Sequence, residues 1–250
     1  MNNIDINFDF TTDTPKFWNN FWNNNDGFGA GSNDPDKKSP TLRNYHQILW
    51  SKKLPNGQFM NLKQGNTVKE YLYWDNFRFG SDTLIADFKY KKMKDVLDKL
   101  QQTLPNYIDF QETFLRKTYT IGGMIIFPKH PNSINQLRGT NPQIKDRIDL
   151  TLECIRRYYL NKTSPLYDTL KNDKDFFDLF VDFKGYVDFF FLQDLVSDDY
   201  SSVNFFIGNG DFNNSPLPCN IDEYMAWYNK SVDFIDKRNK RIEEYFSNVS

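Results

Sequence analysis

The chain has 250 residues, with 31 Lys and Arg against 33 Asp and Glu, so its formal net charge is −2. This balance excludes a generally basic nucleic-acid-binding protein, although a local basic patch is compatible with it. The mean hydropathy of −0.70 excludes a chain built mainly of membrane-spanning segments.

The first 50 residues contain one strand-like and two helix-like patterns. Apolar and polar residues alternate over 4–10, which predicts a half-buried strand. The four aromatic residues within 17–22 have the spacing of one helical turn. Residues 23–40 are rich in Asn, Asp, Gly, Ser and Pro and predict a mobile loop. Ser39 as N-cap and Pro40 at the first helical position predict a helix through Trp50.

The middle of the chain contains candidate strands and two candidate helices. Leu54-Pro55-Asn56-Gly57 predicts a turn, flanked by strands at 59–62 and 71–74. Helices are predicted at about 81–90 and 92–104. The run 119–127 predicts a buried strand, in which Gly122-Gly123 indicates a bulge or a close backbone contact. A polar loop is predicted from Pro128 to Pro142.

The second half is predicted to be mostly helical. The predicted helices span about 142–160, 165–171, 174–182, 184–196 and 221–247, and the segment 203–207 is a candidate sheet edge. We therefore expect an α+β fold in which a small antiparallel sheet, mostly from the N-terminal half, is packed by helices mostly from the C-terminal half. We expect residues 1–250 to form a single domain.

Aromatic residues make up 17% of the chain, with 24 Phe, 14 Tyr and 5 Trp. A nucleotide bias of the gene explains such counts, and an aromatic-lined binding surface is the functional alternative. The densest group lies between Phe176 and Leu192, with aspartates interspersed. It predicts a core with solvated acidic flanks, or else a groove for a flat ligand or a partner helix.

The predicted helix 142–160 carries the strongest charge pattern. At 100° per residue Asp146, Asp149, Glu153 and Arg157 fall within about 80° of one another. This face is predicted to be a solvated or interfacial salt-bridge stripe, with a carboxylate cluster for Mg²⁺ or Mn²⁺ as the alternative.

Basic side chains near that helix give a second charge pattern. The candidate binding residues for a phosphate or carboxylate are Arg138, Arg156 and Arg157, joined by Arg147. Structural ion pairing with nearby acids is the alternative. Arg43, next to the N-terminus of the helix that starts at Pro40, is a further candidate binding residue.

The chain has two histidines, His46 and His130, which excludes histidine-rich metal sites and Cys/His zinc sites. His46 shares a helix face with apolar residues and is predicted to be packed in the core, with a binding role as the alternative. His130 is predicted to be a loop residue, with a catalytic role as the alternative. No phosphate-binding loop, dinucleotide fingerprint or nucleophile elbow is present, so we expect no nucleotide, haem or flavin cofactor.

Cysteine usage and the chain start bear on the compartment. Cys154 and Cys219 are far apart, and the start Met1-Asn2-Asn3-Ile4-Asp5 lacks a basic leader with an apolar core. We expect a cytoplasmic protein with reduced thiols, in which Cys154 is buried and inert.

Several sequence phrases resemble an uncharacterised bacterial family of unknown function. The phrases are SPTLR (39–43), LWSK (49–52), TIGGMIIFP (120–128), DLTLECIRRYY (149–159), SPLYD (164–168) and GYVDFFFLQDL (185–195). The resemblance covers most of the chain and implies a single compact unit without a known activity.

A weaker likeness links residues 121–133 to the end of the His-Asn-His nuclease domain of Gmr-type restriction enzymes. In that pattern a strand leads to a loop asparagine, here Asn132. The pattern also needs a histidine shortly upstream, and none occurs between His46 and His130. The base that activates water is therefore missing.

These observations favour a non-catalytic cytoplasmic protein that binds a small ligand or a protein partner and needs no cofactor. Nucleic acid is not favoured as a partner, and no membrane association is expected. The alternative is a metal-dependent phosphodiester or phosphate-ester hydrolase, such as a nuclease-like accessory of phage defence. It would use Asp146, Asp149, Glu153 and His130, with Mg²⁺ or Mn²⁺.

Overall fold

The computed structural model describes residues 4–23, 33–65, 70–86 and 93–249. A 3₁₀ helix, Phe10–Asp13, and helix α1, Phe17–Asn23, form its start. The predicted strand at 4–10 is wrong. Asp5 and Asp9 accept hydrogen bonds from the backbone N–H groups two residues later, at 2.9 Å each. Such local bonds compete with strand pairing and produce turns instead.

Two helices with similar N-terminal caps follow. In α2, Pro35–Lys38, the Asp34 side chain accepts from the N–H of Asp36, and in α3, Pro40–Trp50, Ser39 accepts from the N–H of Leu42. The prediction for α3 is confirmed. The predicted loop at 23–40 is wrong for 33–40, which is largely helical, and 24–32 lies outside the described residues.

The sheet has four antiparallel strands in chain order. They are β1 (Lys63–Gln64), β2 (Leu72–Trp74), β3 (Phe77–Thr83) and β4 (Met124–Pro128). The register pairs Phe79 with Pro128 and Thr83 with Met124. The predicted strand at 59–62 is reduced to a single bridge between Phe59 and Lys53.

Strand β3 overturns the start of the predicted helix at 81–90. Residues 81–83 pair with β4, while 87–90 lies outside the described residues. Gly, Ser and Asp are poor strand formers, so the local sequence of Gly80, Ser81 and Asp82 concealed the strand that pairing with the buried β4 imposes.

Helices α4, Lys94–Thr103, and α5, Tyr107–Thr118, precede β4, and only α4 was predicted. A 3₁₀ turn at Ile121–Gly123 delays the start of β4 relative to the prediction. The expected close backbone contact is present, because a Cβ on Gly123 would lie 1.9 Å from the carbonyl oxygen of Thr118.

The predicted loop at 128–142 contains helix α6, Ile134–Thr140, and the predicted helix at 142–160 begins only at α7, Ile148–Tyr159. Lys145 and Asp146 have φ of 49° and 64°, a left-handed conformation that an α-helix does not contain. Asp146 therefore does not share a helix face with Asp149.

Four more α-helices and a 3₁₀ helix, Gln193–Leu195, follow in the described chain. The α-helices are α8 (Tyr167–Asn172), α9 (Lys174–Asp178), α10 (Phe183–Phe189) and α11 (Ile221–Val249). Val203 forms only an isolated bridge with Val196, so 203–207 is not an edge of the sheet. Helix α11 packs on the 121–123 turn and on α4 and α5. The predicted α+β class is confirmed.

The buried apolar side chains form one cluster that runs from Ile4 to Ile242. Cys154 belongs to it, so its predicted burial is confirmed. In the described part of the chain, no helix combines the length and apolar character needed to cross a lipid bilayer.

Candidate functional site

A cavity of about 330 Å³ lies between α2 and β3. Its lining is rich in acids: Asp34, Asp36, Glu70 and Asp82 contribute carboxylates, and Lys37, Tyr71, Gly80, Ser81, Lys129 and Asn135 complete the wall. We refer to it as the acidic cavity. Its volume falls within the range of small-molecule sites.

Two short elements carry three of the four acids. Asp34 is the N-cap of α2 and Asp36 lies in its first turn, where the helix dipole stabilises carboxylates. Helix α2 packs on β3, which supplies Ser81 and Asp82. The geometry therefore concentrates carboxylates at the contact between one helix and one strand.

Arg138 neutralises one side of this group. Its fully buried guanidinium donates to Asp82 at 2.8 Å and forms an ion pair with Asp146 at 2.7 Å. It also donates to the carbonyl oxygens of Thr83 at 2.9 Å and Asp146 at 3.0 Å. The arginine that the sequence assigned to an anion site is thus occupied by acids and carbonyls of the chain itself.

Asp34 and Asp36 have no ion pair of this kind, although the charge of Lys37 favours the ionised form of Asp34. Among the described residues, no lysine or arginine forms an ion pair with Asp34 or Asp36. Burial, and then the facing charges of Asp34 and Asp82, raise the pKa of Asp36 well above its usual range. Burial raises the pKa of Asp82 to about 7, although Arg138 opposes the shift. Four carboxyl groups and two lysines line the acidic cavity, so acidic side chains outnumber basic ones there.

A hydrogen-bonded chain ends at Asp36. The indole N–H of Trp50 donates to Nδ1 of His46 at 3.0 Å, and Nε2 of His46 lies 2.9 Å from the Ser81 hydroxyl. Burial and the nearby Arg238 lower the pKa of His46 to about 3, so the ring is neutral. Because indole only donates, Nδ1 accepts and the single ring proton is on Nε2.

The direction of this chain decides what Ser81 can do. Since Nε2 of His46 donates to Ser81, it cannot take the hydroxyl proton, and Ser81 is not an activated nucleophile. The Ser81 hydroxyl instead donates to Asp36 at 3.3 Å. The buried His46 was expected from its helix face, and it acts here on the orientation of Ser81.

Replacing Asp36 with asparagine is expected to stabilise the protein at pH 8 and not at pH 4. A carboxyl whose pKa is higher in the folded state binds its proton more tightly there, so folding stability decreases as pH rises through the folded pKa. We expect a gain of about 1 kcal/mol at pH 8, which raises Tm by about 2–4 °C. Thermal unfolding at both pH values measures this.

The control for that experiment is Asp95→Asn, the same change at an exposed position of α4. It should leave Tm within about 1 °C at both pH values, since exposed substitutions have small effects. A loss of stability for Asp36→Asn at pH 8, or an equal gain at pH 4, would contradict a raised pKa of Asp36 in the folded protein.

The acids of the predicted metal cluster are separated into three ion-pair groups. Asp146 binds Arg138, Asp149 binds the buried Arg147, and Glu153 accepts from Arg156 at 2.8 Å and from Arg157 at 2.7 Å. Asp149 and Glu153 are buried, so the solvated stripe is wrong for both. No group of three potential metal ligands occurs among the described residues.

The candidate arginines do not meet in one anion site. Arg156 binds Glu153 and the Ser201 carbonyl oxygen, and Arg157 lies over the ring of Phe212 at 4.8 Å. Arg43 donates to the carbonyl oxygen of Lys37 in α2 at 3.1 Å.

His130 belongs to a different site. Its Nδ1 faces the Pro131 carbonyl oxygen at 3.0 Å and its Nε2 faces the buried Asp173 at 2.5 Å. Burial opposes protonation, but these two acceptors raise the pKa of His130 overall. With an acceptor at each nitrogen, the ring is held as a donor and is not free to act as a base.

Asn132, with φ of 61°, donates its N–H to Gln136 in an exposed turn.

Comparison with known proteins assigns the chain to a family. The sequence profile of DUF6994, a family of unknown function, matches residues 4–242. The chain belongs to the DUF6994 family. No curated protein and no solved structure matches it. The resemblance to an uncharacterised family is thereby confirmed, and α2, β3 and Arg138 all lie within the span of the DUF6994 match.

Sequence reasoning missed the acids of the cavity, namely Asp34, Asp36 and Asp82. One signal for the first two was present, because Asp34-Pro35 has the same pattern of N-cap and first-turn proline that identified α3. Asp82 had no such signal, since its position depends on the pairing of β3 with β4.

Proposed function

We propose that this DUF6994 protein is a non-catalytic binding protein whose acidic cavity takes a small organic cation, such as a primary diamine. The observation that carries the proposal is the pair of carboxylates, Asp34 and Asp36, which line a cavity without an ion-pair partner among the described residues. The ammonium group of a bound diamine supplies a positive charge that pairs with the two carboxylates. Being already protonated, it takes up no proton from them.

The donor set favours an organic cation over a metal ion. Divalent metals need several oxygen ligands within about 2.0–2.6 Å of one point. The described residues contain no group of three acids, histidines or cysteines arranged in this way. An ammonium group needs only oxygen acceptors spread around it, each about 2.7–2.9 Å from its nitrogen. Anionic substrates such as phosphate esters are disfavoured by the excess of carboxylates.

Isothermal titration of the full chain with putrescine tests the proposal, with the uncharged 1,4-butanediol as the matched ligand control. We expect putrescine to bind and butanediol not to bind. Because ammonium binding favours the ionised form of Asp82, whose pKa is about 7, affinity should rise between pH 6 and pH 8 with release of protons.

Asp36→Asn should weaken putrescine binding at pH 8 about tenfold, corresponding to about 1.4 kcal/mol. Asp95→Asn should not change it. Binding that is equally strong to Asp36→Asn, or absent at pH 8 from the wild-type chain, would reject the cavity as a cation site. Titration with Mn²⁺ in parallel tests the hydrolase alternative, which gains support only if the metal binds and the diamine does not.

A further inference from the structure

A second cavity, of about 620 Å³, is lined in part by Lys52, Lys53 and Leu54, which follow the C-terminal end of α3. Its lining includes Lys52, Phe180, Val181, Phe189, Phe191 and Tyr245. We refer to it as the Lys52 cavity. It shares no lining residue with the acidic cavity and is independent of the proposed function.

Lys52 occupies an aromatic environment at the wall of this cavity. Its Nζ lies 4.0 Å from the ring centre of Phe191, 4.5 Å from that of Phe189 and 5.0 Å from that of Tyr245. Trp50 is at 5.1 Å on the protein side. One ammonium hydrogen is donated to the Phe189 carbonyl oxygen at 2.8 Å. Aromatic faces stabilise a cation but do not neutralise its charge.

No described carboxylate forms an ion pair with Lys52, although two aspartates line the same cavity. Asp182 caps α10 by accepting from the N–H of Gly185 at 2.7 Å. Asp188 accepts from Lys184 and from Tyr200. The charge of another cation, Arg238, also acts on Lys52, and Arg238 is itself fully buried and bound to carbonyl oxygens. Three lysines and two aspartates line the cavity, so basic side chains outnumber acidic ones there.

The backbone around the cavity is strained at two points. Val181 has φ of 70° and Phe191 has φ of 56°, and neither is a glycine. A positive φ is most costly for a β-branched residue such as valine, and strain of this kind is concentrated at functional sites. Val181 is also 62% exposed, although it is apolar. Both strained residues line the cavity, and the ring of Phe191 faces the Lys52 ammonium.

We infer that the Lys52 cavity binds a small carboxylate with an apolar, preferably aromatic, body. The carboxylate pairs with the ammonium of Lys52, and its body lies against Phe189, Phe191 and Val181. Charge complementarity favours an anion, and the aromatic walls favour an apolar body over an inorganic anion.

Titration of the full chain with 3-phenylpropionate tests this inference, with 3-phenylpropionamide as the uncharged ligand of the same shape. We expect the carboxylate to bind at least tenfold more tightly than the amide. Burial and the proximity of Arg238 lower the pKa of Lys52, and a bound carboxylate opposes that shift. Binding should therefore take up protons, which titrations in buffers of different ionisation enthalpy detect.

Lys52→Met should lose the preference for the carboxylate and the proton uptake, whereas Lys52→Arg should keep the preference. Lys99→Met, the same change at an exposed lysine of α4 outside the cavity, should alter affinity less than twofold. Equal binding of amide and carboxylate to the wild-type chain would overturn the inference, and so would an unchanged preference in a folded Lys52→Met variant. The wild-type comparison decides the matter even if that variant does not fold.

Discussion

Replacing Arg138 with methionine is expected to destabilise the protein by about 3–5 kcal/mol, since removal of one partner leaves buried charges uncompensated. Arg138 is fully buried and joins Asp82 on β3 to Asp146 before α7, so the loss leaves two carboxylates facing each other. It also leaves the Thr83 carbonyl oxygen without that donor. Urea unfolding at pH 7.5 measures the change in free energy.

Two further variants separate charge from packing in this prediction. Adding Asp82→Asn to Arg138→Met should restore part of the lost stability, because coupled residues are not additive. Arg116→Met serves as the control, since Arg116 pairs with Asp9 at 2.8 Å but is 44% exposed. Exposed pairs contribute about 0–1 kcal/mol, so its loss should be small. Equal effects of the two arginine substitutions would show that Arg138 is not the counter-ion of the acids.

The elements that the sequence predicted well are those with a local cause. The N-cap and proline at Ser39-Pro40 fix the start of α3, and the run of buried apolar residues identifies β4 although not its first residue. Strand β3 had no local signal, because its Gly-Ser-Asp sequence gains its extended form from pairing with β4.

The candidate site was less predictable for the same reason. The helical wheel placed Asp146, Asp149 and Glu153 together, but the left-handed residues Lys145 and Asp146 end that periodicity before α7 begins. Asp146 instead joins Asp82, which is 64 residues earlier in the chain, through Arg138. Only tertiary packing brings these groups together, so no spacing in the sequence could place Asp82 beside Asp34 and Asp36.

Asp149→Asn is expected to cost about 3–5 kcal/mol, because it breaks a buried charge pair at one partner. Both oxygens of Asp149 bind Arg147, and one also accepts from the N–H of Phe206 at 2.9 Å. Arg147 in turn donates to the carbonyl oxygens of Ile207 at 2.8 Å and Pro216 at 3.1 Å. The pair thus fastens the segment 206–216 to the start of α7.

The location of the effect distinguishes this structural role from a metal-binding one. Hydrogen exchange in Asp149→Asn should rise most at 203–218, because these amides lose their anchor to α7 and open locally. The response of the protein to Mn²⁺, measured as a shift in Tm, should be the same in the variant and the wild-type chain. Asp168→Asn, on the exposed side of α8, is the matched control and should change neither quantity. A Mn²⁺ shift that is present in the wild-type chain and lost in Asp149→Asn would instead make Asp149 a metal ligand, and the buried ion pair with Arg147 would then have to open when the metal binds.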